Sequence, residues 1–162
     1  MPQITAQQAG GVNVAAFLGM VAWSEGTDKS TQPTEDRGYD VLVGGQLFNG
    51  YADHPRVPVD LPKLKIQSAA AGRYKLLRRY CDAYGKSLGL KNFSQLSQGL
   101  IALQQIRERR ALPLIQAGGI PEAIKPVSNI WASLPVAGYG QHEHKLDNLL
   151  AAYRKAGGTV AP

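Results

Sequence analysis

The chain has 162 residues, a length that fits one domain spanning 1–162, because domains usually run to about 100–200 residues. Hydrophobic residues make up 44% of it and charged residues 19%, so a core can form and global disorder is excluded. The net charge of +6 favours a polyanionic partner or surface, which leaves nucleic acid, anionic membrane and acidic cell-wall polymer as candidates.

The N-terminal segment 1–11 is polar and is predicted to be a loose lead-in. The apolar run 12–23 is shorter than the ~20 residues of a membrane-spanning helix, and it lacks a basic flank and a small-residue cleavage site. We therefore expect no signal peptide and no insertion into a membrane.

Residues 12–25 are predicted to form the first long helix. Val14, Phe17 and Val21 recur at helical spacing, and Gly26 is a typical C-terminal stop. Glu25 is thus expected at the C-terminal end of a mostly buried helix.

A small sheet is predicted next. After a loop over 27–37, the β-prone runs 39–43 and 46–48 are separated by Gly-Gly, which indicates a hairpin. Residues 52–62 contain three prolines and are predicted to be an extended connection without regular helix.

The rest of the chain has helical periodicity. It predicts five helices, over 70–88, 94–106, 111–117, 121–131 and 141–156. Gly89 ends the first of them, and Ser94 caps the second. One helix, a small antiparallel sheet and a helical remainder define an α+β fold, with the sheet flanking a cleft at the end of the first helix.

Glu25 in Ala-Trp-Ser-Glu-Gly is the sharpest candidate for chemistry. Trp23 and the apolar helix would desolvate its carboxyl and raise its pKa into the range of a general acid. The alternative is a solvent-exposed glutamate that merely ends the helix, although an acid there opposes the helix dipole.

A hydrolase with two carboxylates would need a second acid roughly 5–9.5 Å from Glu25. The loop and the predicted hairpin offer Asp28, Glu35, Asp36 and Asp40. Asp40 is the best placed, although an aspartate that opens a strand is commonly a turn former.

Tyrosines beside glycine-rich turns are candidates for saccharide contacts, because the apolar faces of sugars pack on aromatic rings. They are Tyr39, Tyr51, Tyr74 and Tyr139. Half-burial beside a turn is the plain structural alternative for each of them.

Other kinds of site are poorly supported. His142 and His144 stand two positions apart and so point to different sides of a helix, which does not suit a zinc pair. Cys81, the single cysteine, is expected to be a buried thiol on a helix. We expect neither a metal nor a cofactor.

Six blocks of the sequence resemble the lambda-type endolysin family of bacteriophages, in the same order and across nearly the whole chain. They are Ala-Trp-Ser-Glu-Gly-Thr-Asp at 22–28, Gly-Tyr-Asp-Val at 38–41, Val-Gly-Gly at 43–45, Asp-His-Pro-Arg at 53–56, Ala-Gly-Arg-Tyr at 71–74, and Asn-Ile-Trp-Ala-Ser-Leu-Pro at 129–135 with Gly-Tyr-Gly-Gln at 138–141.

This resemblance implies a lysozyme-like fold and a lytic transglycosylase that cleaves the β-1,4 bond between N-acetylmuramic acid and N-acetylglucosamine, leaving a 1,6-anhydro end. It implies that Glu25 is both acid and base, and that the saccharide cleft is lined by Tyr39, Asp40, Arg73, Tyr74, Tyr139 and Gln141. Lys75 departs from the family pattern, in which glutamine is expected.

The resemblance also implies a monomer that acts on peptidoglycan glycan strands in the periplasm, after waiting in the host cytoplasm for a holin to open the membrane. Nucleic acid is not an expected partner. Two alternatives stay open: a hydrolytic lysozyme that uses Glu25 with Asp40 or Asp36, and a basic module that binds cell wall or nucleic acid without catalysis.

Overall fold

A computed structural model of the chain describes residues 4–135 and 143–162. Seven α-helices and two β-strands lie in these ranges, and they form an α+β fold as the sequence predicts. In chain order they are α1 (Ala6–Ala9), α2 (Val12–Ser24), β1 (Val59–Leu61), β2 (Ile66–Ser68), α3 (Arg78–Leu88), α4 (Gln95–Glu108), α5 (Leu112–Gln116), α6 (Ile120–Val127) and α7 (Leu146–Lys155).

Helix α2 is the centre of the hydrophobic core. Its apolar residues Val14, Phe17 and Val21 are fully buried, as their spacing predicts. The helix packs against α1, α5 and α7, and Gly19 leaves room for the approach of Ala156 at the end of α7. Glu25 is its C-cap, so the helix carries this side chain from the core to its end.

The sheet differs from the prediction. The regular strands are β1 and β2, an antiparallel pair with Val59 opposite Ser68. Strand β1 lies at the end of the predicted extended connection 52–62, and β2 lies just after it. Pro58 and Pro62 flank β1 rather than interrupt it, and prolines are tolerated at strand ends. A three-residue edge strand is too short for periodicity to reveal.

The predicted hairpin over 39–48 is present only as isolated bridges. Val41 pairs with Leu47, while Leu42 pairs with Ala71 further along the chain. Ala71 in turn pairs with Leu76, so the segment 70–77 is a turn joined to this small β layer. The prediction of one helix over 70–88 is therefore wrong for its first eight residues.

The backbone explains where α3 begins. Gly72 and Lys75 have positive φ angles of 82° and 45°, which a right-handed helix cannot contain. Helix α3 starts only at Arg78 and ends, as predicted, at Gly89 in the left-handed conformation.

The later helices agree with the prediction in number and differ at their ends. Ser94 caps α4 by accepting a hydrogen bond from the Ser97 amide, as expected. The predicted start of the last helix at 141 lies outside the described residues, and α7 begins at Leu146. None of the helices in the described part of the chain is long and apolar enough to cross a membrane.

Candidate active site

Glu25 is half-buried at the C-terminal end of α2, and the Ser133 side chain holds its carboxyl. The Ser133 hydroxyl donates a hydrogen bond of 2.6 Å to Glu25 Oε1. Burial raises the pKa of Glu25, and this effect outweighs the nearby charge of Lys75 and the hydrogen bonds from Ser133, which lower it. The carboxyl therefore has the environment of a general acid.

A chain of hydroxyls leads from the helix end to this carboxyl. The Oγ atoms of Ser24 and Ser133 lie 2.6 Å apart. Because Ser133 has one hydroxyl proton and gives it to Glu25, Ser24 must be the donor in this pair. When Glu25 is protonated, the direction of the chain can reverse, so the carboxyl keeps a partner in both states.

Trp23, two residues before Glu25, belongs to a cluster with His144 and Lys29. The Trp23 ring packs against the His144 ring at a centroid distance of 4.7 Å, and the Lys29 ammonium lies 4.4 Å from the Trp23 centroid. His144 Nε2 lies 3.0 Å from the Ser24 carbonyl, so it donates there. These contacts fix the helix end that carries the acid.

Lys75 is the cation of this site. It occupies the left-handed turn before α3, and the preceding carbonyl, that of Tyr74, accepts a hydrogen bond of 3.0 Å from Trp131 Nε1. This bond joins the turn to the segment that carries Ser133. The charge of Lys75 thus acts electrostatically on Glu25.

Three residues expected along the cleft are instead buried. Tyr39 and Tyr74 are each 1% exposed and meet edge to face at 6.2 Å, and Arg73 is 4% exposed. Contact of these three side chains with saccharide stays a prediction, which their burial does not favour.

Arg73 has a structural function that accounts for its burial. Its guanidinium forms an ion pair of 2.5 Å with Asp28 and donates to the Arg37 carbonyl. It also lies 5.4 Å from the centre of the Tyr39 ring. The loop after α2 is tied to the turn before α3 through this one side chain.

Asp40 and Asp36, the candidates for a second catalytic acid, both accept hydrogen bonds from other residues, Asp40 from its own loop and Asp36 from Tyr51 and from Gln95 on α4. Asp40 is 6% exposed and accepts from the Thr34 hydroxyl at 2.5 Å and the Glu35 amide at 2.9 Å. Asp36 accepts from the hydroxyl of Tyr51 and the amide of Gln95, both at 2.6 Å. The expected contact of Asp40 with saccharide stays a prediction, which its burial likewise does not favour.

Two further expected cleft residues, Tyr139 and Gln141, lie outside the described residues, as does His142. Within 4–135 and 143–162, no three His, Cys, Asp or Glu side chains come together in a way that could hold a metal ion. Cys81 is buried in α3, and burial raises the pKa of its thiol to about 12, which leaves it un-ionised at neutral pH.

The residues that contact Glu25 were not among those expected from the sequence. Ser133 is separated from Glu25 by 108 positions and also contacts Ser24, the residue directly before Glu25. His144 contacts the Ser24 carbonyl from the segment before α7. The sequence feature that could have pointed to the two serines is their position in the blocks that resemble the family, Ser24 in 22–28 and Ser133 in 129–135. Serines carry no periodicity that would distinguish them there.

Comparisons with known proteins agree on one relationship. The sequence profile of the endolysin family matches residues 15–160. The endolysin of Escherichia phage lambda is 63% identical over 146 residues, covering 90% of this chain and 91% of that one. The endolysin of Escherichia phage P2 is 47% identical over 171 residues, covering 99% of this chain and 100% of that one.

Solved structures give the same result. The structure of a bacteriophage lambda lysozyme complexed with a chitohexasaccharide superposes with a TM-score of 0.89 at 57% identity, covering 99% of this chain and 100% of the other. A second structure of lysozyme from bacteriophage lambda gives a TM-score of 0.86 at 56% identity, with the same coverage.

Proposed function

The chain belongs to the endolysin family, whose members degrade peptidoglycan, and we propose that it is a lytic transglycosylase with Glu25 as its acid and base. Its substrate is then the β-1,4 bond between N-acetylmuramic acid and N-acetylglucosamine. Its product is a 1,6-anhydro-muramic acid end. As a member of this family the chain is an enzyme, which removes the alternative of a basic module without catalysis.

One observation carries the choice of reaction: the Ser133 hydroxyl and the charge of Lys75 both act on Glu25, and both stabilise the carboxylate that remains after proton donation. A hydrolase with two acids needs a carboxylate that faces the first across the substrate. Asp40 instead accepts hydrogen bonds within its own loop, and Asp36 accepts them from Tyr51 and Gln95. A reaction that uses one carboxyl twice fits this arrangement.

The mechanism follows from the two protonation states of Glu25. The protonated carboxyl donates to the glycosidic oxygen, and the bond from that oxygen to C1 of the muramic acid breaks as an oxocarbenium-like centre forms. The carboxylate that remains is stabilised by the Ser133 hydroxyl and the charge of Lys75.

The second half of the reaction restores the acid. The Glu25 carboxylate takes the proton of the C6 hydroxyl, and O6 attacks C1 to close the anhydro ring. Atoms balance without water, and the enzyme ends as it began. The raised pKa of Glu25, caused by burial, keeps the donor form populated at the start of the cycle.

Product analysis tests this reaction directly. Purified peptidoglycan is digested with the enzyme in water enriched in oxygen-18, and the fragments are weighed by mass spectrometry. We expect muramic acid ends that are lighter by one water than reducing ends and that carry no heavy oxygen. Reducing ends labelled with heavy oxygen would instead identify a hydrolytic lysozyme.

The cellular setting follows from the same proposal. We infer that the enzyme acts as a monomer on glycan strands in the periplasm, after release from the host cytoplasm by a holin. The net charge of +6 would hold it near anionic polymers of the envelope. The test adds purified enzyme to intact cells and to cells whose outer membrane has been permeabilised. Lysis of the permeabilised cells alone would support the inference that the enzyme must first reach the periplasm.

A further inference from the structure

A groove adjoins the site of Glu25 on the side of the helices α3 and α4. Its volume is about 330 Å3, and it is bounded by those two helices, the turn 74–77 and the segment 129–132. Lys75, the cation that acts on Glu25, is among the residues that line it. Ala132, the residue before Ser133, also lines it, so the groove adjoins the segment that holds the Glu25 carboxyl.

The wall of this groove contains an unsatisfied hydrogen-bond acceptor. Gln105 on α4 is 7% exposed, and its Oε1 atom has no donor within hydrogen-bond distance in the described part of the chain. An unpaired buried polar atom is costly, so a site of this kind is suited to a ligand that brings an N–H or O–H group.

The charge of the groove indicates an anionic ligand. Lys75, Arg79 and Arg109 line it, and the one acid among its described residues, Glu108, already accepts a hydrogen bond from the Tyr84 hydroxyl. The Arg79 guanidinium lies 5.0 Å from the centre of the Tyr80 ring, which holds that cation at the rim.

We propose that this groove binds the peptide stem of the substrate, the short acidic peptide that muramic acid carries on its lactyl group. Its carboxylates pair with Arg79 and Arg109, and one of its amide N–H groups donates to Gln105 Oε1. This inference rests on the proposed function, because it names a further part of the same substrate. It predicts that the enzyme prefers strands that carry stems.

The test compares two substrates made from the same peptidoglycan: glycan strands that keep their stems, and strands stripped of stems by an amidase. For the wild type we expect the higher kcat/KM on strands with stems. In the double variant Arg79→Gln/Arg109→Gln, the ratio of the two kcat/KM values should fall by roughly ten-fold, as loss of a charge-assisted contact implies. Gln105→Leu should lower the same ratio without lowering Tm.

A matched control removes two positive charges elsewhere. Arg107 and Arg154 are exposed and do not line the groove, so Arg107→Gln/Arg154→Gln should keep the wild-type ratio. The proposal would be overturned if the groove variants kept the wild-type ratio of the two kcat/KM values. If both kcat/KM values fell equally in those variants, the ratio would also be unchanged, and bare glycan rather than the stem would occupy the groove. A wild type that cleaves neither substrate would contradict the proposed function instead.

Discussion

Ser133 Oγ donates to Glu25 Oε1 at 2.6 Å, and this bond joins two residues that are 108 positions apart in the sequence. It favours the charged carboxylate, because a donor stabilises negative charge more than it stabilises the neutral acid. Burial acts in the opposite direction and dominates. The acidity of Glu25 is thus set by burial, which raises its pKa, and by the charge of Lys75 and the hydrogen bonds from Ser133, which lower it, and mutation can separate these effects.

Replacing Ser133 by alanine removes the donor and should raise the pKa of Glu25 further. The alkaline limb of the pH profile of kcat/KM reports loss of the acid form, so it should move to higher pH. The carboxylate formed during proton donation also loses its partner, and kcat at the optimum should fall by roughly ten-fold.

The control is Ser128→Ala, which removes a buried hydroxyl that donates to the Lys125 carbonyl at 2.8 Å, away from the carboxyl. Its alkaline limb should coincide with that of the wild type. An unchanged limb in the Ser133 variant would contradict the assignment of this hydroxyl to Glu25.

Lys75 provides a second way to change the same pKa. Its charge lowers the pKa of Glu25, so Lys75→Gln should move the alkaline limb to higher pH, while Lys75→Arg should leave it near the wild-type position. Lys91→Gln, at an exposed position that does not act on Glu25, is the control. The measurement is kcat/KM against pH at low salt, and a shift of equal size in both glutamine variants would indicate only a change in net charge.

Glu25→Gln separates catalysis from folding. Without a proton donor the rate of lysis should fall by roughly 100- to 10,000-fold, the usual contribution of a general acid. Because the folded-state pKa of Glu25 is raised, ionisation of this residue weakens the fold at neutral and higher pH. The neutral glutamine should therefore give an equal or higher Tm at pH 8 in thermal unfolding, and a large drop in Tm would attribute the loss of lysis to misfolding.

Gln98 is a structural support for the site that the sequence did not identify. It is fully buried, and its amide donates to the carbonyls of Tyr39 and Phe93 while accepting from the Arg73 amide at 3.0 Å. Gln98→Leu leaves these backbone groups unpaired and should cost about 3–5 kcal/mol in the free energy of unfolding. Gln104→Leu, on the same helix but half-buried, should cost much less in the same urea titration.

How far the sequence predicts this molecule depends on the range of the interactions. Helix α2 and the position of Glu25 at its end follow from local periodicity and from Gly26, and the cap at Ser94 follows from the residue type. The turn 70–77 was predicted as helix because Tyr74 and Leu77 have helical spacing, whereas a backbone with Gly72 in the left-handed region overrides it.

The residues around Glu25 show the limit most clearly. The resemblance to the family places Tyr39 and Tyr74 along the cleft, whereas tertiary packing buries both rings. Ser133 reaches Glu25 only after the chain has folded, and no local pattern announces a contact between distant segments. Sequence blocks shared with a known family located the acid, and the structure was needed to assign its partners.

His54 gives the fold a pH dependence with a definite sign. Its Nε2 lies 3.0 Å from the Leu76 carbonyl and donates to it, and its Nδ1 accepts from the Arg56 amide at 3.0 Å, so the neutral ring is the form that fits. Burial lowers the pKa of His54 below its value in the unfolded chain, which is about 6.5. As the pH falls, the unfolded state therefore binds more protons than the folded state. The stabilisation from the neutral ring is fully present above the unfolded-state pKa, and it is lost as the pH falls from there to the lower folded-state pKa.

Thermal unfolding from pH 7.5 to pH 5 should accordingly show a decrease in Tm in the wild type. In His54→Gln the side chain no longer titrates, so Tm should start lower, because the buried contacts are altered, and should change less over the same interval. Carboxyl groups contribute to both proteins alike, since those near His54 on Asp53 and Asp82 have lowered pKa values and stay ionised over this range. Parallel Tm curves for the two proteins would mean that another group causes the acid sensitivity.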